Sequence, residues 1–167
     1  MHFKPQHRVL PACDTISPRD LTAVLTNARA LQRAAQAGVA QALLRGRNLG
    51  LLCELYSGDD SVLFRRAAVE LGAQVAHIRT SLSTLSTTQE VRHIACMLGR
   101  LYEAVECQGM DSALVMRIER DAGIPVYDAI ASPEHPTAKL AMLLGGDASS
   151  VEKRRLVVQA VLLTTIA

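Results

Sequence analysis

Four short apolar runs recur about every 25 residues along the chain, each followed by a stretch of helical character. They are Asn48–Glu54, Ala73–Ile78, Tyr102–Cys107 and Pro125–Ile130. Between them lie Ser61–Leu71, Thr87–Leu98 and Asp111–Asp121, closed by Gly72 and Gly123 where the chain must turn. A further helix is expected over Pro136–Leu144. Strand-like runs alternating with helices cannot form hairpins. They need crossover connections, which put parallel strands side by side and helices on both faces. The predicted fold is therefore α/β: a three-layer sandwich with a four-stranded parallel sheet flanked by helices, in a single domain.

Local signals support this frame. Ser17 and Pro18 read as N-cap and first helical residue, with Asp20 completing a capping-box-like turn. The helix they open carries Leu21, Val24, Leu25, Ala28 and Leu31 on one face and ends near Gly38. Thr87 and Glu90 have capping-box spacing. A last helix, Val151–Ile166, presents Val157, Val158, Val161, Leu162 and Ile166 as an apolar stripe that should dock on the domain. The expected organisation is an irregular lead-in over residues 1–16, the α/β domain over 17–145, a linker over 146–150 and the closing helix over 151–167.

Composition excludes several classes. The hydrophobic and charged fractions, 49% and 20%, are those of a globular chain. With no tryptophan and 3% aromatics, the core must be aliphatic. A net charge of +2 gives no basis for nucleic-acid binding, and no apolar run approaches the roughly 20 residues of a membrane span. Cys13, Cys53, Cys96 and Cys107 lack metal-finger spacing and read as buried free thiols in a reducing, cytoplasmic setting. The scattered histidines offer no metal site. No glycine-rich nucleotide loop or hydrolase elbow is present, so no cofactor is expected.

Ligands of open parallel sheets bind beyond the C-terminal strand ends. That rim collects Tyr56-Ser57-Gly58-Asp59-Asp60-Ser61, Thr80–Thr88, Gln108-Gly109-Met110-Asp111 and Ala131–Pro136. The first segment runs into a helix N-terminus, which favours an anion. Asp59 and Asp60 oppose one there. They either cap the helix or face a cationic, amine-bearing ligand. His135 is a structural residue or a ligand contact, Arg100 a salt bridge or an anion contact, and Glu103 and Glu106 form no obvious acid/base pair.

Taken together, Arg47–Glu54, Phe64–Ala73, Leu98-Gly99-Arg100-Leu101-Tyr102-Glu103 and Ala122–Tyr127 leading to His135-Pro136-Thr137 resemble the carbamoyl-phosphate-binding domain of aspartate/ornithine carbamoyltransferases. Glu152-Lys153-Arg154 with Gln159-Ala160-Val161-Leu162 resembles that family's closing helix, and the intervening amino-acid-binding domain is missing. The resemblance implies a homotrimer and a phosphate site made of a Ser-Thr-Arg-Thr-Arg loop, an arginine before the third strand, a His-Pro-Thr-Gln motif and an arginine of the last helix. Carried over residue by residue, Ser57, Arg100, His135 and Arg154 persist. Gly58, Asp59, Asp60 and Ser61 replace the rest of the loop, and Ala138 replaces the glutamine. The lid segment that the family contributes across the subunit interface falls near Thr84, where a glutamine or lysine would be expected. One arginine gives way to Asp59 and the other to Ser61, and Asp60 adds a second aspartate, so the local formal charge shifts from +2 to −2, about four units. The expectation is a catalytically degenerate homotrimer that binds a small anionic or amine-bearing ligand, or docks a protein partner, at an exposed rim. The alternative is an active transferase whose amino-acid-binding domain another chain supplies.

Overall fold

The computed structural model describes residues 18–54 and 57–166. Ser17, Cys13, Tyr56 and the lead-in lie outside the described residues. Four strands, β1 (Asn48–Leu52), β2 (Gln74–Ile78), β3 (Ala104–Cys107) and β4 (Val126–Asp128), form one sheet in the order β2-β1-β3-β4. Every pairing is parallel, with Leu49 opposite both Val75 and Ala104, and Val105 opposite Val126. Among the described residues five α-helices accompany them: α1 (Pro18–Gln36), α2 (Asp59–Glu70), α3 (Thr88–Leu101), α4 (Ser112–Ala122) and α5 (Ser150–Ile166). The helix expected over Pro136–Leu144 is a 3-10 helix, Pro136–Leu143. No helix among the described residues is long and apolar enough to cross a membrane.

The two-residue alternation of β1 splits the interior into two cores. Leu49 and Leu51 face α1, α2 and α5, packing with Val24, Phe64 and Val161. Leu52, with Val105 and Cys107 of β3, faces α3 and α4, packing with Val91, Leu98 and Ile118. β1 and β3 are central and almost wholly buried, whereas β2 is a half-exposed edge. This explains why its run carries Gln74 and His77.

Gly50 sits in a close approach between strands and helix. A Cβ there would press on Ile78 Cδ1 at 3.0 Å and Val105 Cγ2 at 3.2 Å. Gly99 lets α3 cross the end of α4, because a Cβ would collide with the carbonyl oxygen of Ala122.

The capping box of α3 forms as expected. Thr87 Oγ1 accepts from Glu90 N–H at 3.1 Å, and Glu90 accepts from Thr87 N–H at 2.9 Å. Three other expectations change. β4 stops at Asp128, not Ile130, because Ala129 adopts φ 56° and turns the chain. α5 is not a one-sided amphipathic helix: Leu156 to Leu162 are all buried, Gln159 included. Its centre runs between α1, α2 and the 3-10 helix, and Gln159 Nε2 is satisfied by Ala67 O at 3.1 Å. Cys53 and Cys107 are buried free thiols, but Cys96 is exposed.

Candidate functional site

β1 leads through α2 on one face, and β3 is reached through α3 on the other. The chain therefore parts between the C-terminal ends of β1 and β3, the position where open α/β sheets hold ligands. Two adjoining cavities lie there and share Cys53, Glu54, Gln108 and Gly109. The larger, of about 780 Å³, extends to Arg79, Thr80, Ser83, Thr84 and Asp111. The smaller, of about 390 Å³, is closed by Gly58, Asp59, Asp60 and Ser61.

The smaller cavity meets the start of α2. Gly58 is the N-cap, with φ −64° and ψ 154°, and makes no side-chain cap. Asp59 and Asp60 are thus the first helical residues and not capping ligands, contrary to the capping reading. Their charges sit on the positive end of the helix dipole. Burial raises the Asp60 carboxyl above its ordinary range. Arg154 lowers it, while Asp59 and Glu134 raise it further. Among the described residues, the wall of this cavity carries Glu54, Asp59 and Asp60 and no basic side chain.

Beneath the cavity runs a polar relay. Ser61 is buried, and its hydroxyl donates to Gln108 Oε1 at 2.6 Å, with Cys53 Sγ 3.4 Å away. Gln108 Nε2 donates to Glu106 Oε2 at 3.3 Å. Glu106 is fully buried and also accepts the N–H groups of Ile130 at 3.0 Å and Ala131 at 3.3 Å. The left-handed turn at Ala129 aims both N–H groups at one carboxyl, as in an anion-holding backbone nest. Burial nevertheless raises the Glu106 carboxyl to about 8. Arg154 Nη2 closes the relay on Ala131 O at 2.7 Å. The chain of contacts ties the start of α2 to the end of β3, the turn after β4 and the start of α5.

His135 is also inside. Its Nδ1 lies 2.7 Å from Thr137 Oγ1 and accepts Thr137 N–H at 3.2 Å, so the ring caps the 3-10 helix. Desolvation lowers its pKa to about 4; Asp128 raises it and Arg154 lowers it. The imidazole is therefore neutral near pH 7 and offers no charge to an anion.

A scan against family models matches residues 8–145 to "Aspartate/ornithine carbamoyltransferase, carbamoyl-P binding domain". The chain belongs to the aspartate/ornithine carbamoyltransferase family. An ornithine carbamoyltransferase of Haemophilus influenzae is 32% identical over 144 residues, 86% of this chain and 43% of that protein. The chain thus spans under half the length of the curated relatives it matches. Among solved structures, the ornithine carbamoyltransferase of Gloeobacter violaceus aligns with TM-score 0.61 and 28% identity, over 86% of this chain and 44% of that one. The Burkholderia thailandensis ornithine carbamoyltransferase shares the fold at TM-score 0.67 and 20% identity, over 81% and 47% of the two chains.

Within this carbamoyltransferase domain, the residues singled out from sequence divide into three groups. Gly58, Asp59, Asp60 and Ser61 meet at the smaller cavity beside exposed Ser57, and Thr84 stands across the larger one. Arg154 closes the relay on the β4 side, and His135 lies in the following loop, bonded to Thr137. Arg100 joins neither. It is exposed on the last turn of α3, next to Leu101 and Tyr102, which lie against Asn48 and Gln74 at the starts of β1 and β2. That is the opposite edge of the sheet. The rim position after β3 belongs instead to Gln108, named from sequence only as part of a rim segment. From sequence, Glu106 stands only as half of an unformed acid/base pair with Glu103, not as a buried anchor. Its signal was a lone charge in the apolar run Ala104–Cys107.

Proposed function

We propose that this carbamoyltransferase-family chain is catalytically degenerate and holds an amine-bearing small ligand, or a protein partner, where its relatives named as carbamoyltransferases would hold carbamoyl phosphate. One observation carries the reading: the cavity at the start of α2 is walled by Glu54, Asp59 and Asp60 with no basic side chain among its described residues. Arginine–phosphate contacts contribute roughly 1.5–3 kcal/mol each. Without two of them, affinity falls by about 100- to 10,000-fold before repulsion by the aspartates is counted. Gln108 is neutral, and Arg154, which bonds Ala131 O through Nη2, does not line this cavity.

A homotrimer fits the exposed segment around Thr84. Its neighbour Leu85 is 92% exposed, an apolar side chain that a second subunit would cover. Light scattering of the wild type and Leu85→Asp tests this, and a monomeric wild type at micromolar concentration refutes it. A cytoplasmic location agrees with the free thiols of Cys53 and Cys107.

A melting screen against phosphate, carbamoyl phosphate and linear diamines tests the ligand reading. The expected result is a diamine-specific rise in Tm that Asp59→Asn abolishes. Stabilisation by carbamoyl phosphate would overturn degeneracy. It would restore the reading of an active transferase whose amino-acid-binding half comes from another chain, for which the 43% coverage of a relative leaves room.

A further inference from the structure

The relay from Ser61 to Glu106 can run in either direction. Ser61 has one hydroxyl proton and two acceptors for it, Gln108 Oε1 at 2.6 Å and Cys53 Sγ at 3.4 Å. Gln108 is buried between two oxygens, with Ser61 Oγ on one side and Glu106 Oε2 on the other. As the structure stands, Nε2 faces Glu106. Every contact on that carboxyl is then a donor: Ile130 N–H, Ala131 N–H and Gln108 Nε2. A carboxylate accepts all three. A neutral carboxyl brings a proton of its own, and these three donors give it no acceptor. Turning the Gln108 amide over supplies one. Oε1 then accepts from Glu106, Nε2 donates to Ser61 Oγ, and the Ser61 proton passes to Cys53 Sγ. Each of these contacts is again a donor meeting an acceptor.

The surroundings leave the choice to one proton. β1 sets apolar Leu51 beside Glu106, and β4 brings Tyr127 and Asp128. Asp128 opposes ionisation of Glu106. Burial raises the Tyr127 phenol and the Cys107 thiol of β3, so both stay protonated. His135, lowered to about 4, is neutral. α2 presents Ser61 with Asp60 next to it, and α5 reaches the turn only through Arg154 on Ala131 O. Burial raises Glu106 itself to about 8, which puts its change of charge near physiological pH.

We infer that Gln108 is a proton-operated switch, its amide turning over as Glu106 gains or loses a proton and reversing the hydrogen-bond polarity from Glu106 to Cys53. Below the transition Glu106 O–H donates to Oε1, Nε2 to Ser61 and Ser61 to Cys53. Above it the proton leaves Glu106 for water, Nε2 returns to the carboxylate and the Ser61 proton turns back to Oε1. Gln108 and Ser61 line the smaller cavity, with Glu106 beneath them. The end of Gln108 turned to Ser61 and the crevice is thus the amide in the first state and the carbonyl in the second. An acceptor bound there is linked to proton uptake, and a donor such as an amine to proton release. The switch stands whether or not the crevice takes an amine.

Joint X-ray and neutron structures of deuterium-exchanged crystals at pH 6 and pH 9.5 test it. At pH 6 the expected map has deuterium on Glu106, the Gln108 amide nitrogen toward Ser61 and the Ser61 deuterium toward Cys53. At pH 9.5 the carboxyl should carry none, with the amide nitrogen on Glu106 and Ser61 pointing at Gln108. In solution, the Gln108 side-chain amide resonances should titrate at the same midpoint as the Glu106 carboxyl carbon and stay fixed in Glu106→Gln. Asp60→Asn should keep the transition. A Gln108 amide in one orientation at both pH values would overturn the switch, even with Glu106 titrating. So would a carboxyl already ionised at pH 6, a Gln108 titration that persists in Glu106→Gln, or one that vanishes in Asp60→Asn.

Discussion

The two ends of the sheet are built on opposite principles. At the N-terminal edge the buried contacts are steric, Gly99 permitting the crossing of α3 over α4 and Tyr102 lying against Gly50, while the carboxylate contact from Asn48 N–H to Glu103 Oε2 at 2.6 Å is exposed. At the C-terminal edge they are polar and buried, running from Ser61 through Gln108 and Glu106 to the turn after Ala129. The segment Gly99–Gln108 reaches from one to the other, because β3 alone spans about 13 Å. Residues that stand together in a motif can therefore serve different ends of the molecule, one devoted to close packing and the other to satisfying buried polar groups.

The largest expected effect probes the polar end. The Glu106 carboxyl is raised to about 8 from an ordinary 4.5, so the folded state binds a proton more tightly than the unfolded chain does. The stability this confers is fully present below pH 4.5 and is lost as pH rises through 8. Relative to Glu106→Gln, whose side chain does not titrate, the wild type should lose stability on the order of 4 kcal/mol across that window. Urea denaturation of both proteins at pH 5 and pH 8 measures it. A constant difference between them would show that Glu106 does not titrate in that range.

At the packed end, Gly99→Ala should cost about 3 kcal/mol, since the obstacle is a backbone carbonyl and not a flexible side chain. Its cost should not vary with pH, which separates it from the Glu106 effect in the same denaturation series. The smallest change is expected from Arg100→Ala, within about 0.5 kcal/mol of wild type and with unaltered ligand response. A change in ligand-dependent Tm in that variant would place Arg100 in the site after all and collapse the distinction between the two ends.

The parallel sheet was legible because spacing alone forbids hairpins, and the helix boundaries followed from Thr87, Gly72 and Gly123. The strand order was not. Which run lies central depends on packing between elements, although Gln74 and His77 marked β2 as the exposed edge. α5 misled because its face is set by three neighbours at once, so a residue as polar as Gln159 is buried.

The site was legible only where charge is local. Asp59 and Asp60 stand at the helix start as read, and their conflict with an anion is visible in the letters. Arg100 was misassigned by resemblance, although its place before a parallel strand already puts it at the far edge. Glu106 and Gln108 matter through partners 24 and 47 residues away, Ile130 and Ser61, which no local pattern joins.

The burial of α5 has a consequence for synthesis. Asn27 of α1 bonds Thr164 of α5 at 2.9 Å across 137 residues of chain. Val24, Ala28, Phe64 and Ala67 share their core with Val157 and Val161. While the ribosome is still making the chain before Ser150, the core that α1 and α2 build on Leu49 and Leu51 lacks the cover of α5. Completion of one core must wait for the final helix, whereas the core under α3 and α4 can close as soon as β4 emerges. The nascent protein is thus half-built on one face and finished on the other, and the unfinished face is where a chaperone would find its grip.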